Sequence, residues 1–174
     1  MDTKKLLSLE PIMGADPTIG RWLAAFNDAR RRTLTLLEQV DPEMIHRVPP
    51  GQSSIGAILY HVAAIEASWL YDEVLENQWP EDFDSMFPYP VRDDAGHITA
   101  VPDEPLEAHL QRLEAVHMDL LGAYRNMFID EFRRGRETPQ HTVTPEWVLH
   151  HLMQHEAEHR AEIGSVWQMI RQGG

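Results

Sequence analysis

The chain contains no cysteine, and this absence removes a whole group of chemistries. Disulfides, thiolate metal ligands and a cysteine nucleophile all require that side chain. A metal ion bound by this protein must therefore be held by nitrogen and oxygen atoms.

Basic residues are few, because 15 lysines and arginines face 28 aspartates and glutamates, a net charge of −13. Nucleic acids and anionic membranes are bound through concentrated positive charge, so neither is expected as a partner. The densest basic clusters are the arginines within residues 30–32 and 133–136. Each is expected to form a solvated helix face or loop.

A long apolar run is also absent. Residues 1–17 carry only short apolar pieces, which Glu10 and Pro11 interrupt. A membrane span needs about 20 consecutive apolar residues, and a signal peptide needs a continuous apolar stretch. We therefore expect a cytoplasmic protein without membrane contact. Its length of 174 residues predicts a single domain over residues 1–174.

Four segments place apolar residues at helical spacing, and no segment gives a strand signal. Asp16-Pro17 and Thr144-Pro145 each combine a capping side chain with proline at the first helical position, which marks two helix starts. The other two helices are expected to begin near Ser54 and Asp103. The predicted helices cover residues 17–40, 54–75, 103–128 and 145–171. Four amphipathic helices predict an all-α fold, a four-helix bundle.

The last predicted helix carries two histidines within its apolar row. His155 and His159 lie one turn apart, about 6 Å along the axis, so both imidazoles can bind one ion. His151 lies about 12 Å from His159 along that axis, too far for both to bind the same ion. A third ligand must come from another helix, and His61 is the one histidine of the second. The alternative is that these histidines are hydrogen-bonded core residues.

A second metal interpretation comes from two E-x-x-H motifs, Glu114 with His117 and Glu156 with His159. Ferritin-like di-iron proteins use two such motifs and an inward glutamate from each remaining helix. The first helix offers only Glu38, outside its apolar row. This spacing also arises readily by chance in a glutamate-rich chain.

Two stretches together resemble a known family. Residues 54–62 read SIGAILYHV, and the last helix carries His155-x-x-x-His159-Arg160-x-x-Ile163. This combination resembles the DinB-like (damage-inducible) family of metal-binding four-helix proteins, and the resemblance extends over about residues 17–171.

The resemblance implies both a topology and a ligand set. The family has an up-down-down-up bundle with a long connection between helices two and three, which residues 77–101 match. Its metal ligands fall on His61, His155 and His159, and none of the three is substituted. Glu162 departs from the glutamine that many relatives carry there.

The implied activity is broad, because the family spans thiol S-transferases, a thiol-dependent isomerase and hydrolases. We expect a metal-dependent thiol S-transferase that uses zinc or nickel, a low-molecular-weight thiol and a small-molecule substrate. A metal-dependent hydrolase and a non-catalytic, dimeric, stress-related metal-binding protein are the alternatives. Three neutral imidazoles leave coordination positions open for a thiol or water in either enzyme.

Several nearby side chains could assist such a site. Glu66, Glu158 and Glu162 are candidates to orient a ligand imidazole or accept a proton, and His117 is expected to be a hydrogen-bonded core residue.

Two further expectations concern surfaces. The family commonly forms dimers, and Trp22 and Trp167 offer large apolar area, so a homodimer is expected. Residues 77–101 form a connection far longer than the usual 2 to 8 residues of a bundle. We expect its aromatic residues to cover the mouth of the metal site, with a simple strap across the bundle as the alternative. Those residues are Trp79, Phe83, Phe87 and Tyr89.

Overall fold

A computed structural model describes residue 4 and residues 6–102, 104–138 and 141–173. Its helices are α1 (Pro17–Leu37), α2 (Ile55–Ser68), α3 (Glu81–Met86), α4 (Leu106–Arg125), α5 (Ile129–Phe132) and α6 (Pro145–Gln172). A 3₁₀ turn at Pro42–Met44 follows α1, and a π-helix at Trp69–Val74 continues α2. Strands β1 (Arg136–Glu137) and β2 (Thr142–Val143) pair antiparallel. The chain is mostly helical, as the all-α prediction requires.

Three of the four predicted helix starts are confirmed by their capping bonds. Asp16 accepts a hydrogen bond from the Thr18 amide, and Ser54 accepts one from the Ala57 amide. Thr144 caps α6 in the same way. These bonds satisfy amides that the first turn of a helix leaves without partners. Asp103, expected to begin the third helix, lies outside the described residues, and Pro105 stands at the cap position of α4.

The four long helices pack in pairs around a continuous interior. Helix α1 lies against α6 and α4, and α2 lies against α4 and α6. Two apolar clusters fill the space between them. One contains Leu23 and Leu120, and the other contains Leu37 and Ile163. The polar residues described next lie where α1, α2 and α6 face one another.

A buried arginine joins all four long helices. Arg30 of α1 forms ion pairs with Glu66 of α2 and Glu156 of α6, and it donates a 2.9 Å hydrogen bond to the Leu113 carbonyl of α4. His117 Nδ1 lies 3.6 Å from Glu66. Burial alone would raise the pKa of Glu66, but Arg30 and His117 together outweigh burial and hold that pKa below its usual value. We call these four side chains the Arg30 cluster: Arg30, Glu66, His117 and Glu156.

This cluster corrects the expectation that the arginines are solvated. Arg30 is only 4% exposed, whereas its neighbours Arg31 and Arg32 are exposed and pair with Asp28. In the second basic stretch Arg136 is buried too, since it donates to the Val74 carbonyl. A guanidinium can be buried when acceptors surround it, and each guanidinium nitrogen of Arg30 and of Arg136 donates to at least one acceptor.

Replacing Arg30 tests the cluster directly. Arg30→Met should lower the free energy of unfolding by about 3–5 kcal/mol, because two buried carboxylates lose their counter-charge. Urea unfolding followed by circular dichroism measures the change. Arg31→Met is the matched control, and a change in this exposed side chain should stay within about 0.5 kcal/mol. Equal stability of the two variants would contradict the assigned role of Arg30.

Candidate metal centre

The three predicted histidines meet between α2 and α6. The Nε2 atoms of His155 and His61 lie 3.3 Å apart, and those of His159 and His155 lie 3.1 Å apart. One ligand atom from each of the three lies within 4.8 Å of the other two. The helical spacing of His155 and His159 brings two rings to one level, and the packing of α2 on α6 supplies the third. The group is so placed that all three side chains could hold one metal ion.

Hydrogen bonds on the far side of two rings determine which nitrogen points at the shared space. His61 Nδ1 lies 3.3 Å from the Val91 carbonyl, and His159 Nδ1 lies 2.8 Å from a Glu162 carboxylate oxygen. A carbonyl and a carboxylate only accept, so both Nδ1 atoms carry the proton. Each neutral ring then directs an Nε2 lone pair inward. This is the usual arrangement of a metal-ligating histidine.

The electrostatic environment keeps His61 and His155 uncharged at neutral pH. Burial lowers the pKa of His61 to about 4, and the nearby His159 adds to the effect. Burial, then the neighbouring His159 and His61, lowers the pKa of His155 to about 3. Neutral imidazole is the form that binds metal. The Nε2 lone pairs of His61 and His159 are directed at the same space as His155 Nε2, so the residues present fit a divalent ion bound through nitrogen.

The side chains expected to support the metal site lie in different environments. Glu162 contacts His159, whereas Glu66 belongs to the Arg30 cluster and Glu158 is exposed. His117 is buried and lies 2.7 Å from the Asn27 side chain, so the expectation of a hydrogen-bonded core residue is confirmed. Of the three nominated glutamates, Glu162 is therefore the one placed to orient a ligand ring.

The di-iron interpretation is wrong. Glu114 faces solvent, and Glu156 turns away from the histidines to pair with Arg30. Within the described residues, a single group of three or more potential metal ligands comes together, His61 with His155 and His159. His151 stays outside that group, as its distance along the helix predicts, with its ring centroid 6.0 Å from that of His155.

The long connection reaches the site through its backbone. Tyr60 donates a 2.6 Å hydrogen bond to the Tyr89 carbonyl and accepts a 2.9 Å bond from the Tyr89 amide. The next residue on α2, His61, meets the Val91 carbonyl. Residues 89–91 are thus fastened beside the three histidines. A backbone contact of this kind leaves no residue-type signal, and sequence reasoning missed both Tyr60 and Val91.

The aromatic rings of the connection are placed differently from the expectation. Trp79 and Phe83 pack against Tyr71, and Phe87 packs against Tyr60. These rings add to the core beside α2, which is what the strap alternative describes. The Val91 carbonyl of the same connection contacts the metal-site histidine His61.

A model of the DinB superfamily matches residues 25–163, a stretch that includes all three histidines. The chain belongs to the DinB superfamily. No curated protein matches the chain. None of the helices in the described part of the chain is long and apolar enough to cross a membrane.

Glu162 should strengthen metal binding without being a ligand. Glu162→Ala should lower the affinity for zinc about 10- to 100-fold, because His159 loses the acceptor that orients its ring. Competition with a chromophoric chelator measures the affinity. Glu158→Ala, an exposed carboxylate on the same helix, is the control and should bind zinc like the wild type. If the two variants bind equally well, Glu162 has no supporting role.

The Tyr60 hydroxyl should hold the connection in place. Tyr60→Phe should cost about 1–3 kcal/mol of stability, since two backbone groups of Tyr89 lose their partner. Faster hydrogen exchange at the Tyr89 amide would locate the loss. Tyr71→Phe removes a different hydroxyl, which donates to Asp119, and should leave that amide unchanged. Unaltered exchange at Tyr89 in Tyr60→Phe would refute the assignment.

Proposed function

We propose that the protein is a metal-dependent thiol S-transferase in which His61, His155 and His159 bind one zinc or nickel ion. The observation that carries the proposal is the convergence of three imidazoles, two of them held by Val91 and Glu162 in the tautomer that binds metal. Family membership supports it. A site with three protein ligands also suits catalysis better than a purely structural role, which normally uses four.

The chemistry divides between the ion and the chain. A bound divalent ion supplies a Lewis acid that lowers the pKa of a thiol at its open positions. In the transfer, the thiol sulfur forms a bond to an electrophilic carbon of the substrate. The leaving group departs with its electron pair, and the thiol proton passes to solvent. The chain orients the ligand rings through Val91 and Glu162, and the buried side of the site at His61 excludes water.

We also propose the up-down-down-up order for the four long helices. Contacts between α1 and α6 advance in the same direction along both helices, since Trp22 bonds to Glu146 and Arg30 bonds to Glu156. That order suits parallel helices. Helix α2, with the π-helix that continues it, also runs parallel to α4: Gly56 lies beside His109, and Tyr71 bonds to Asp119 further along both. Helices α1 and α4 run antiparallel, because Asn27 bonds to His117 while the later Arg30 bonds to the earlier Leu113.

A thiol-conjugation assay tests the proposed activity. Zinc- or nickel-loaded protein, cysteine as the thiol and monochlorobimane as the electrophile should give fluorescent conjugate faster than the uncatalysed reaction. His155→Ala removes a ligand and should abolish both the bound metal and the excess rate. His150→Ala, exposed on the same helix, is the matched control and should retain both.

The alternatives correspond to different results of that assay. Metal-loaded protein that hydrolyses a nitrophenyl ester but does not accelerate conjugation would support the hydrolase. Metal-loaded protein without either activity would support the non-catalytic role. Both results would contradict the transferase proposal.

We further propose that the protein acts in the cytoplasm as a homodimer. The resemblance to dimeric relatives supports the homodimer. Trp22 and Trp167 contribute less free surface than expected, since each is partly buried against a different core cluster. Light scattering at micromolar concentration should give twice the mass of the 20.0 kDa chain, and a monomer mass would contradict the dimer.

A further inference from the structure

A group of four rings extends from the metal-site histidines to the surface. The Trp69 ring centroid lies 4.9 Å from His151, 5.5 Å from Trp147 and 5.9 Å from His141. Trp147 and His151 stack with an angle of 7° between their planes. His151 in turn lies 6.0 Å from the ligand His155. We call these residues the ring cluster: Trp69, His141, Trp147 and His151.

A cavity of about 450 Å³ opens beside the outer part of this cluster. That volume falls within the range of about 300–1,000 Å³ that small-molecule sites usually have. The cavity is lined by His141, Thr142, Val143, Thr144 and Trp147. None of these residues is an aspartate, glutamate, lysine or arginine. Trp147 is 47% exposed, so much of its indole surface is accessible to a ligand.

The backbone has a distinctive conformation on both sides of the ring cluster. Trp69 is the first residue of the π-helix, and π-helical turns are rare and occur frequently at functional sites. On the other side, Thr138 fixes His141 through hydrogen bonds in both directions. Thr144 caps the helix whose third residue is Trp147. Two tryptophans and two histidines are therefore brought together from three separate parts of the chain.

We propose that this cavity is the substrate pocket and that it binds an uncharged, planar aromatic ring against Trp147. An exposed indole face favours a flat aromatic ring over an aliphatic group of equal size. The lining offers no charged side chain of fixed sign to an ionic ligand. The hydroxyl groups of Thr142 and Thr144, with the imidazole of His141, can bond to a polar substituent on the ring.

The position of the cavity specifies the substrate further, and this step rests on the proposed transferase function. Two ring-to-ring distances, 5.1 and 6.0 Å, separate Trp147 from His155. Trp147 and His155 are eight residues apart on α6, about 12 Å along the helix axis, so an aromatic group on Trp147 reaches the metal site only through a long side arm. The substrate class is an aryl compound whose electrophilic carbon lies on that arm. The thiol sulfur bonds to this carbon, and the leaving group departs from it with the electron pair.

Binding of acetophenone to the metal-free protein tests the pocket separately from catalysis. Indole N–H signals in a nitrogen-15 correlation spectrum report on all five tryptophans. Saturable shifts are expected for Trp69 and Trp147, with Trp79 and Trp167 unchanged. Methyl cyclohexyl ketone has the same arm on a non-planar ring and should bind about tenfold more weakly, because it cannot stack.

Variants complete the test. Trp147→Leu should weaken acetophenone binding about tenfold, while Trp147→Phe should retain most of it, since a ring still stacks. Trp167→Leu is the control and should bind like the wild type. Equal affinity for the two ketones, shifts confined to other tryptophans, or full binding by Trp147→Leu would overturn the proposal. The ketone comparison needs no variant, so it decides the question even where a substitution impairs folding.

Failure of this proposal can be told apart from failure of the proposed function. Acetophenone binding is measured without metal, so a protein that lacks transferase activity can still show the pocket. Conversely, conjugation of monochlorobimane with loss of the ketone preference would leave the transferase in place and remove the aromatic pocket.

Discussion

A single buried guanidinium determines how the four long helices of this protein can pack. Arg30 needs an acceptor on each side, and it finds them on α2, α4 and α6. Removing one partner of a buried ion pair is costly, so these contacts hold the helices at one separation and register. Glu156 directly follows the candidate ligand His155, and Glu66 lies little more than one turn beyond His61. The ion pairs thus fix the spacing of α2 and α6 on which the distances between the imidazoles depend.

Helix α6 serves two environments because neighbouring residues point in different directions. Glu156 turns into the core towards Arg30, while His155 and His159 face α2 and are only partly buried. The site consequently has a closed side, at His61 and the Val91 carbonyl, and a partly exposed side at His155 and His159. A site built this way can hold an ion firmly and still admit a second molecule from one direction.

The histidines were predictable from sequence because their geometry is local: a four-residue spacing on one helix, with the third ligand indicated by the family resemblance. Arg30 and Glu156 also left a signal, since they continue the apolar rows of Phe26 and Leu152 at a spacing of four residues. Charge usually indicates solvent exposure, but at these two positions the helical spacing is the better guide. The Val91 carbonyl and the π-helix at Trp69 belong to the backbone. Tertiary packing determines both features, and no pattern of side chains in the sequence predicts them.

X-ray absorption spectroscopy of the zinc- or nickel-loaded protein tests the central claim most directly, because it counts the imidazoles around the ion. The account predicts three imidazole nitrogens at about 2.0–2.1 Å for zinc, with at least one further light atom that an added thiol replaces by sulfur. In His61→Ala the number of imidazole ligands should fall from three to two. A spectrum with oxygen ligands alone, or with four imidazoles and no exchangeable position, would contradict the account.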